Sequence, residues 1–298
     1  MVDEPWGLRD ERKPMARASG GAMWRQRVLG MMAKVSREVP GFRGKARLQR
    51  LAQRVCGHGE IEVEVGGVSW RLDPGELIQF RLLWDGAHDG HVLRWLVGEA
   101  RPGDVVWDVG ANIGDMALFV AKRTGARVEA FEPSPSVFAK LVANVGLNPG
   151  LAVRPRAMGL SDADGVVRFY ASAERTNAGV GSLGRAANTV GEGVEVRVAR
   201  GDSLVANGET RPRIVKMDIE GFEPEALEGM RGILTAGETL VCVESSGYRL
   251  RERGREVDAL VSILENLGFR VTALKDGRER EVRAEDLVGN VDLVGRPR

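Results

Sequence analysis

The sequence predicts an α/β fold built on a mainly parallel β-sheet, and three observations point to it. From Pro102 onward, short apolar runs (VVWDVG, RVEAFEP, AVRPRAMGL, RIVKMDIEG, TLVCVES) alternate with amphipathic stretches of helical length. Parallel strands need helical crossovers, and the intervals between the runs supply them. The first run ends in a glycine-rich turn that opens a helix, which is where an open α/β sheet has its ligand crevice. Composition agrees. The 298 residues are 43% hydrophobic and 29% charged, which excludes collagen-like, mucin-like and mostly disordered chains.

Taken in order, residues 1–22 read as a disordered tail, polar and charged with Pro and Gly and no apolar period. The tail opens with acids and lacks the apolar stretch expected of a secretory signal, and Met15 and Met23 are candidates for alternative starts. From Met23 the apolar residues Val28, Met31, Met32 and Val35 recur at helical spacing up to Pro40-Gly41. A second short helix follows around Leu48, Leu51 and Val55. IEVEV and VSWRL alternate on either side of Gly66-Gly67, which signals a hairpin. Residues 75–99 read as helix with a loop near Gly86–Gly90. This helical and hairpin extension, 23–99, precedes an α/β unit over 100–298. Within that unit, helices are expected over about 115–123, 136–145, 225–234 and 257–267, and the strands FRVTAL and NVDLVGR close the chain. The stretch 164–200 breaks the rhythm with VVRFYAS, a glycine-rich loop GVGSLGR and VEVRVAR, and reads as an inserted hairpin.

The formal charge of +1 hides an asymmetry: residues 9–54 carry 13 basic and 3 acidic side chains. Such an arm is either a solvated helix with a loose tail or a surface for phosphate or an anionic membrane. The helix over 23–37, with Met and Val on one face and Lys/Arg elsewhere, offers the peripheral membrane reading. No run reaches 18 apolar residues, so a membrane-spanning helix is not expected. Two cysteines, Cys56 and Cys242, cannot make a disulfide framework, and a reduced, cytoplasmic protein is expected.

The sharpest chemical signal is Asp108-Val-Gly110-Ala-Asn112-Ile-Gly114, where strand meets helix. Glycines there let the backbone turn tightly and approach a ligand. Glu132, at the end of the next strand, can accept both hydroxyls of a ribose. Dinucleotide binders want G-x-G-x-x-G with a diphosphate over the helix N-terminus. Here the spacing is G-x-x-x-G, and Asp108 would repel a diphosphate. The acid suits a cofactor with an ammonium and no phosphate, which favours S-adenosylmethionine (SAM) over NAD. Asp218 and Glu220 end one later strand and Glu244 ends another, so the topology gathers three carboxylates at the same crevice. They suit a general base, or they hold a hard cation such as Mg²⁺. One acid, Glu220 or Glu223, is also placed to cap the helix beginning near Phe222. Lys216, inside a strand, needs a buried partner.

The segments WDVGANIGDMALFVAKRTG, VEAFEPSPSVFAKLVANVGLN and IVKMDIEGFEPEALEGM resemble the successive motifs of the FkbM-type SAM-dependent methyltransferases. GVGSLGR and VEVRVARGDSL resemble that family's middle segment, so the likeness covers roughly 100–245. The string from Lys216 to Glu223 is its most specific part. The resemblance implies a Rossmann-like class I methyltransferase, with a seven-stranded sheet of order 3-2-1-4-5-7-6, strand seven antiparallel and helices on both faces. It also implies methyl transfer to oxygen, commonly a hydroxyl of a sugar, glycan or secondary metabolite. Carried over position by position, Asp108, Gly110, Asn112, Gly114 and Asp115 would line the methionine end of SAM. Glu132 would take the ribose and Asp162 the adenine amino group. Asp218, Glu220 and Glu244 would be the catalytic acids. His88 and His91, which precede the first strand of the α/β unit, could fold over the pocket. Tyr248, Ser182 and His91 are candidates for the acceptor side, with Arg185 beside Ser182 in a lid. The family often places a histidine shortly after the strand-five acid, where this chain has Ser245-Ser246-Gly247-Tyr248. Two other readings remain at this point. One is a nucleic-acid methyltransferase tethered by the basic arm, which Asp218-Ile-Glu220-Gly argues against because base methylation commonly uses an Asn/Asp-Pro-Pro-aromatic motif. The other is a non-catalytic SAM-binding scaffold.

Overall fold

The structure, a computed structural model, describes residues 20–38, 59–172, 182–183 and 189–298. Helix α1 (Gly20–Glu38) precedes a hairpin of β1 (Ile61–Val65) and β2 (Val68–Leu72). Gly66 and Gly67 turn the hairpin at φ 62° and 76°, the left-handed pair a two-residue loop requires. Leu29 and Ala33 bury one stripe of α1 against the hairpin and α2 (Leu77–Asp85), leaving Met31 and Val35 exposed. Helix α3 (Gly90–Glu99) follows a short loop at Gly86–Asp89, as the glycines there predict. The rest of the basic arm, the tail and the second short helix near Leu48 lie outside the described residues.

The α/β unit then runs β3 (Val105–Val109), α4 (Asp115–Thr124), β4 (Arg127–Phe131), α5 (Pro135–Gly146) and β5 (Val153–Arg156). A side sheet follows, made of β6 (Gly159–Leu160), β7 (Gly165–Ser172), β8 (Ser182–Leu183) and β9 (Thr189–Ala199), in the order β6-β9-β7-β8. The chain returns through α6 (Gly201–Ala206) to β10 (Ile214–Met217), α7 (Glu223–Gly229), α8 (Arg231–Thr235) and β11 (Leu240–Ser246). It ends with α9 (Gly247–Glu252), α10 (Ala259–Asn266), β12 (Phe269–Lys275), β13 (Arg278–Arg280) and β14 (Asn290–Pro297).

The main sheet has the order β13-β12-β14-β11-β10-β3-β4-β5. Strands β11, β10, β3, β4 and β5 are parallel, and β14 is antiparallel to both neighbours. Without β13, this is the expected 3-2-1-4-5-7-6 arrangement. Helices cover both faces. Val105, Trp107 and Val109 of β3 enter one core with α7, α8 and α10, while Val106 enters the other with α2, α3 and α4. The N-terminal hairpin and helices therefore share a core with the sheet. Among the described residues no helix is long and apolar enough to cross a membrane.

Three details differ from the sequence reading. AVRPRAMGL divides, because β5 is an edge strand where Pro155 donates no hydrogen bond, and the chain then leaves to start β6 in the side sheet. The helix expected over 225–234 breaks near Met230. There the Asp202 carboxylate accepts from Gly232 N (2.8 Å) and Ile233 N (2.9 Å), starting α8 afresh. An eighth strand, β13, folds back through Asp276-Gly277, at φ 53° and 77°.

Candidate active site

Register aligns the chemistry in two rows. Alternation places Asp108 on the face of Val106 and Lys216 on the face of Ile214, so both lie under α2–α4. Lys216 is the register partner of Asp108 on one side and of Cys242 on the other. One pleat nearer the carboxyl ends, Glu244 is paired with Asp292 of β14, and Asp218 continues β10 by donating its N–H to Val109 O at 3.0 Å. Asp218, Glu244 and Asp292 therefore form a row of acids over three neighbouring strands. A cleft of about 430 Å³ opens above them and is walled by α2, α3 and the turns after β3 and β4.

The turn after β3 is built by close approach. Gly110 has φ 79°, and a Cβ there would overlap the Asp218 carbonyl oxygen. Its N–H and that of Ala111 donate to Phe131 O at 3.0 and 2.9 Å. At Gly114, φ 91°, a Cβ would press on Leu141. Asn112, held at φ 50°, aims its N–H at Glu132 Oε2 (3.1 Å), while Ser134 N donates to Oε1 (2.9 Å). Burial pushes the Glu132 carboxyl up to about 7 against these two donors.

Asp108 is buried with neither carboxylate oxygen in a hydrogen bond, and its counter-charge is Lys216 Nζ at 3.4 Å. Lys216 also donates to Gly110 O (3.4 Å) and stands 3.8 Å from Asp218. Burial alone would lower the Lys216 pKa, but Asp108, Asp218 and Asp115 together hold it well above its usual value. Asp115, at the first position of α4, is pushed up to about 6 by burial. Three buried acids thus converge around Lys216, in a cleft that Arg81 also lines. That excess suits a ligand carrying positive charge and ribose hydroxyls, so the residues present fit SAM.

On the other side, Glu244 is pushed up to about 10, first by the Asp218 charge and then by burial and a hydrogen bond to Asp218. Asn290 Nδ2 donates to its Oε1 at 3.1 Å. Glu220, at φ 57°, is turned to Arg249, with Nε to Oε2 at 3.2 Å. Glu220 and Glu244 therefore point to different partners. Among the described residues no group of three or more His, Cys, Asp or Glu is arranged to hold a metal ion. The Mg²⁺ reading of Asp218, Glu220 and Glu244 gains no support.

Glu223 proves to be the internal clamp. Its Oε1 accepts from Ile219 N (2.9 Å) and Gly221 N (3.2 Å), which ties down the strained turn that carries Glu220. Replacing it leaves two N–H groups without an acceptor. Glu223→Ala is expected to cost about 2–4 kcal/mol in a urea titration and Glu223→Gln clearly less. Equal losses would mean that the clamp is not the carbonyl-like oxygen.

Of the remaining expectations, His88 and His91 both line the cleft, the latter with Nε2 2.6 Å from Asp292 Oδ2. Asp162 does not line it. It sits exposed on the turn into β7, accepting from Ser161 Oγ at 3.1 Å. Tyr248 is 58% exposed on α9 and outside the cleft, because α9 buries Gly247 and Leu250 instead. Ser182 is placed as a strand residue opposite Tyr170, but its side chain and Arg185 lie outside the described residues. The sequence reading missed Asp292, Asn290, Arg81, Leu160 and Phe169, all of which line the cleft. An aspartate in the apolar run NVDLVG was the one available signal.

A family model described as the methyltransferase FkbM domain matches residues 108–271. Hexuronic acid methyltransferase AglP of Haloferax volcanii is 36% identical over 172 residues, spanning 57% of this chain and 68% of that protein. The 31-O-demethyl-FK506 methyltransferase FkbM of Streptomyces tacrolimicus is 32% identical over 220 residues, spanning 60% and 77%. Among solved structures, a methyltransferase FkbM from Methylobacillus flagellatus aligns at 17% identity with a TM-score of 0.43, covering 66% of this chain and 45% of that one.

Proposed function

Because the chain belongs to the FkbM methyltransferase family and is a SAM-dependent methyltransferase, we propose that it methylates a hydroxyl of a sugar, glycan or secondary metabolite. The observation that carries this reading is the acid row Asp218–Glu244–Asp292 facing the cleft. A carboxylate acceptor would arrive already ionised and would be repelled there. A hydroxyl arrives neutral, donates hydrogen bonds to carboxylates and must lose a proton.

Asp108 and Asp115 would hold the amino end of SAM, Glu132 its ribose, and Leu160 and Phe169 would flank its adenine. Bound there, the cofactor supplies an electrophilic methyl group on sulfonium. Asp218 would accept the acceptor's hydrogen bond and align its oxygen, while Glu244 holds a proton against Asp218 and keeps the pair singly charged. The free, buried Cys242 fits the reduced cytoplasmic setting that we also propose.

Calorimetry should give micromolar SAM binding and no heat with NAD. Labelled methyl should then pass from SAM to one or more members of a panel of methyl hexosides and methyl hexuronides, in a form stable to alkali. An alkali-labile product is a methyl ester and would overturn the hydroxyl assignment.

A further inference from the structure

We propose that His91, held by Asp292, takes the proton of the acceptor hydroxyl, a role that rests on the methyl-transfer reading above. The two residues are 201 apart in sequence, on either side of the matched segment 108–271. The fold joins them because α3 packs over the sheet face that carries Asp292. His91 Nε2 and Asp292 Oδ2 are 2.6 Å apart, and both residues line the cleft. Asp292 is also the cross-strand partner of Glu244, which sets the pair beside the acid row. The carboxylate engages Nε2, so Nδ1 is the nitrogen that would receive the proton.

The other groups at this end of the cleft are less suited. Glu244 already holds a proton against Asp218, and Glu220 is committed to Arg249. His88 Nε2 stands 3.6 Å from Asp89 Oδ2, a longer contact than that of His91 to Asp292. The charges acting on His91 are Asp292 from β14, Asp89 just before its helix and Arg94 within it, while Asp218 and Glu244 line the same cleft. The helix N-terminus disfavours an imidazolium. The hydrogen bond to Asp292 outweighs this and the partial burial, and holds the ring's pKa above its usual 6.5. In the step, the acceptor oxygen bonds to the methyl carbon as the C–S bond breaks, with that electron pair remaining on sulfur. The hydroxyl proton passes to His91 and then to solvent. Asp292 is a positioning residue, since it acts through the imidazole.

The test uses the full chain saturated with SAM. Three histidines make the imidazole signals easy to assign by NMR. The His91 signal should titrate above 6.5 in the wild type and fall toward 6.5 in Asp292→Asn. An unchanged titration overturns the pairing, whatever the acceptor is. With a turned-over methyl glycoside, His91→Gln should lower kcat about 100-fold with SAM affinity unchanged and erase the acidic limb of the pH profile. Asp292→Asn should move that limb to lower pH. A His91→Gln enzyme with wild-type kcat and an intact limb overturns the proposal. Failure of the wild type to bind SAM would instead overturn the reading on which it rests.

Discussion

Asp108→Ala should lose SAM affinity by at least about 100-fold, equivalent to roughly 2.7 kcal/mol. The carboxylate is buried, neither oxygen has a hydrogen bond, and its pKa is pushed up by burial against the pull of Lys216. Such a group is unfavourable in the empty protein and becomes favourable when a cationic ligand arrives. Removing it takes away an attraction in a poorly screened site, where charge pairs count most. The fold should weaken as well, because Lys216 loses the acid 3.4 Å away and keeps Asp218 at 3.8 Å. An uncompensated buried charge costs about 3–5 kcal/mol, and Asp218 offsets part of that. Asp108→Asn keeps the shape and loses the charge, so it should lose most of the affinity while folding better than Asp108→Ala. Calorimetry on protein shown to be folded by circular dichroism separates the two effects. Binding within three-fold of wild type in both variants would mean that Asp108 does not face the cofactor.

The parts of this site that the sequence makes legible are those set by local chemistry. Gly110 and Gly114 announce a turn, Glu132 follows at strand two's end, and Gly66-Gly67 marks a hairpin. Each depends on residues close together in sequence. The parts that escaped depend on non-local register. Asp292 joins Glu244 because β14 is inserted antiparallel between β11 and β12. A single aspartate in an apolar strand does not reveal that pairing. His91 gains its partner through the packing of α3 on the sheet, which no helical period encodes. Asp162 lies in a turn-forming Ser-Asp sequence, where the turn alone accounts for the residue type. Tyr248 follows a strand end, as a site residue would, but the buried stripe of α9 rotates it outward. β13 was signalled by Asp276-Gly277, a hairpin pair that the reading passed over.

The cofactor-free protein should become less stable as pH rises from about 5.5 to 8. Six acids have folded pKa values above their ordinary ones: Glu244 at about 10, Glu132 and Glu223 at about 7, Asp115 at about 6, and Asp108 and Glu220, which burial also pushes up. Below about 4, folded and unfolded chains both hold these protons. Above that, the unfolded chain releases them first, so the folded state binds more protons and its stability falls with pH. Each such proton is worth about 1.4 kcal/mol per pH unit. The proton held by Glu244 alone therefore amounts to something on the order of 3 kcal/mol over the window. His91 acts in the same sense, because its raised pKa stabilises at low pH and the gain fades as the ring deprotonates. Paired acids such as Glu209, Glu225 and Glu279 have lowered values and act in the opposite sense. Their stabilisation is complete once unfolded carboxylates are ionised, so it is flat above about pH 5.5. Urea midpoints at half-unit steps should decline across the window, and Glu244→Gln, which cannot titrate, should flatten the decline. A midpoint that rises or stays level in the wild type would contradict a proton held by Glu244. Saturating SAM should also flatten the curve. A cation lying against Asp108 and Asp115 favours their ionised forms, so the bound state has fewer protons to lose. The same acids that weaken the empty fold at neutral pH would then draw the cofactor in.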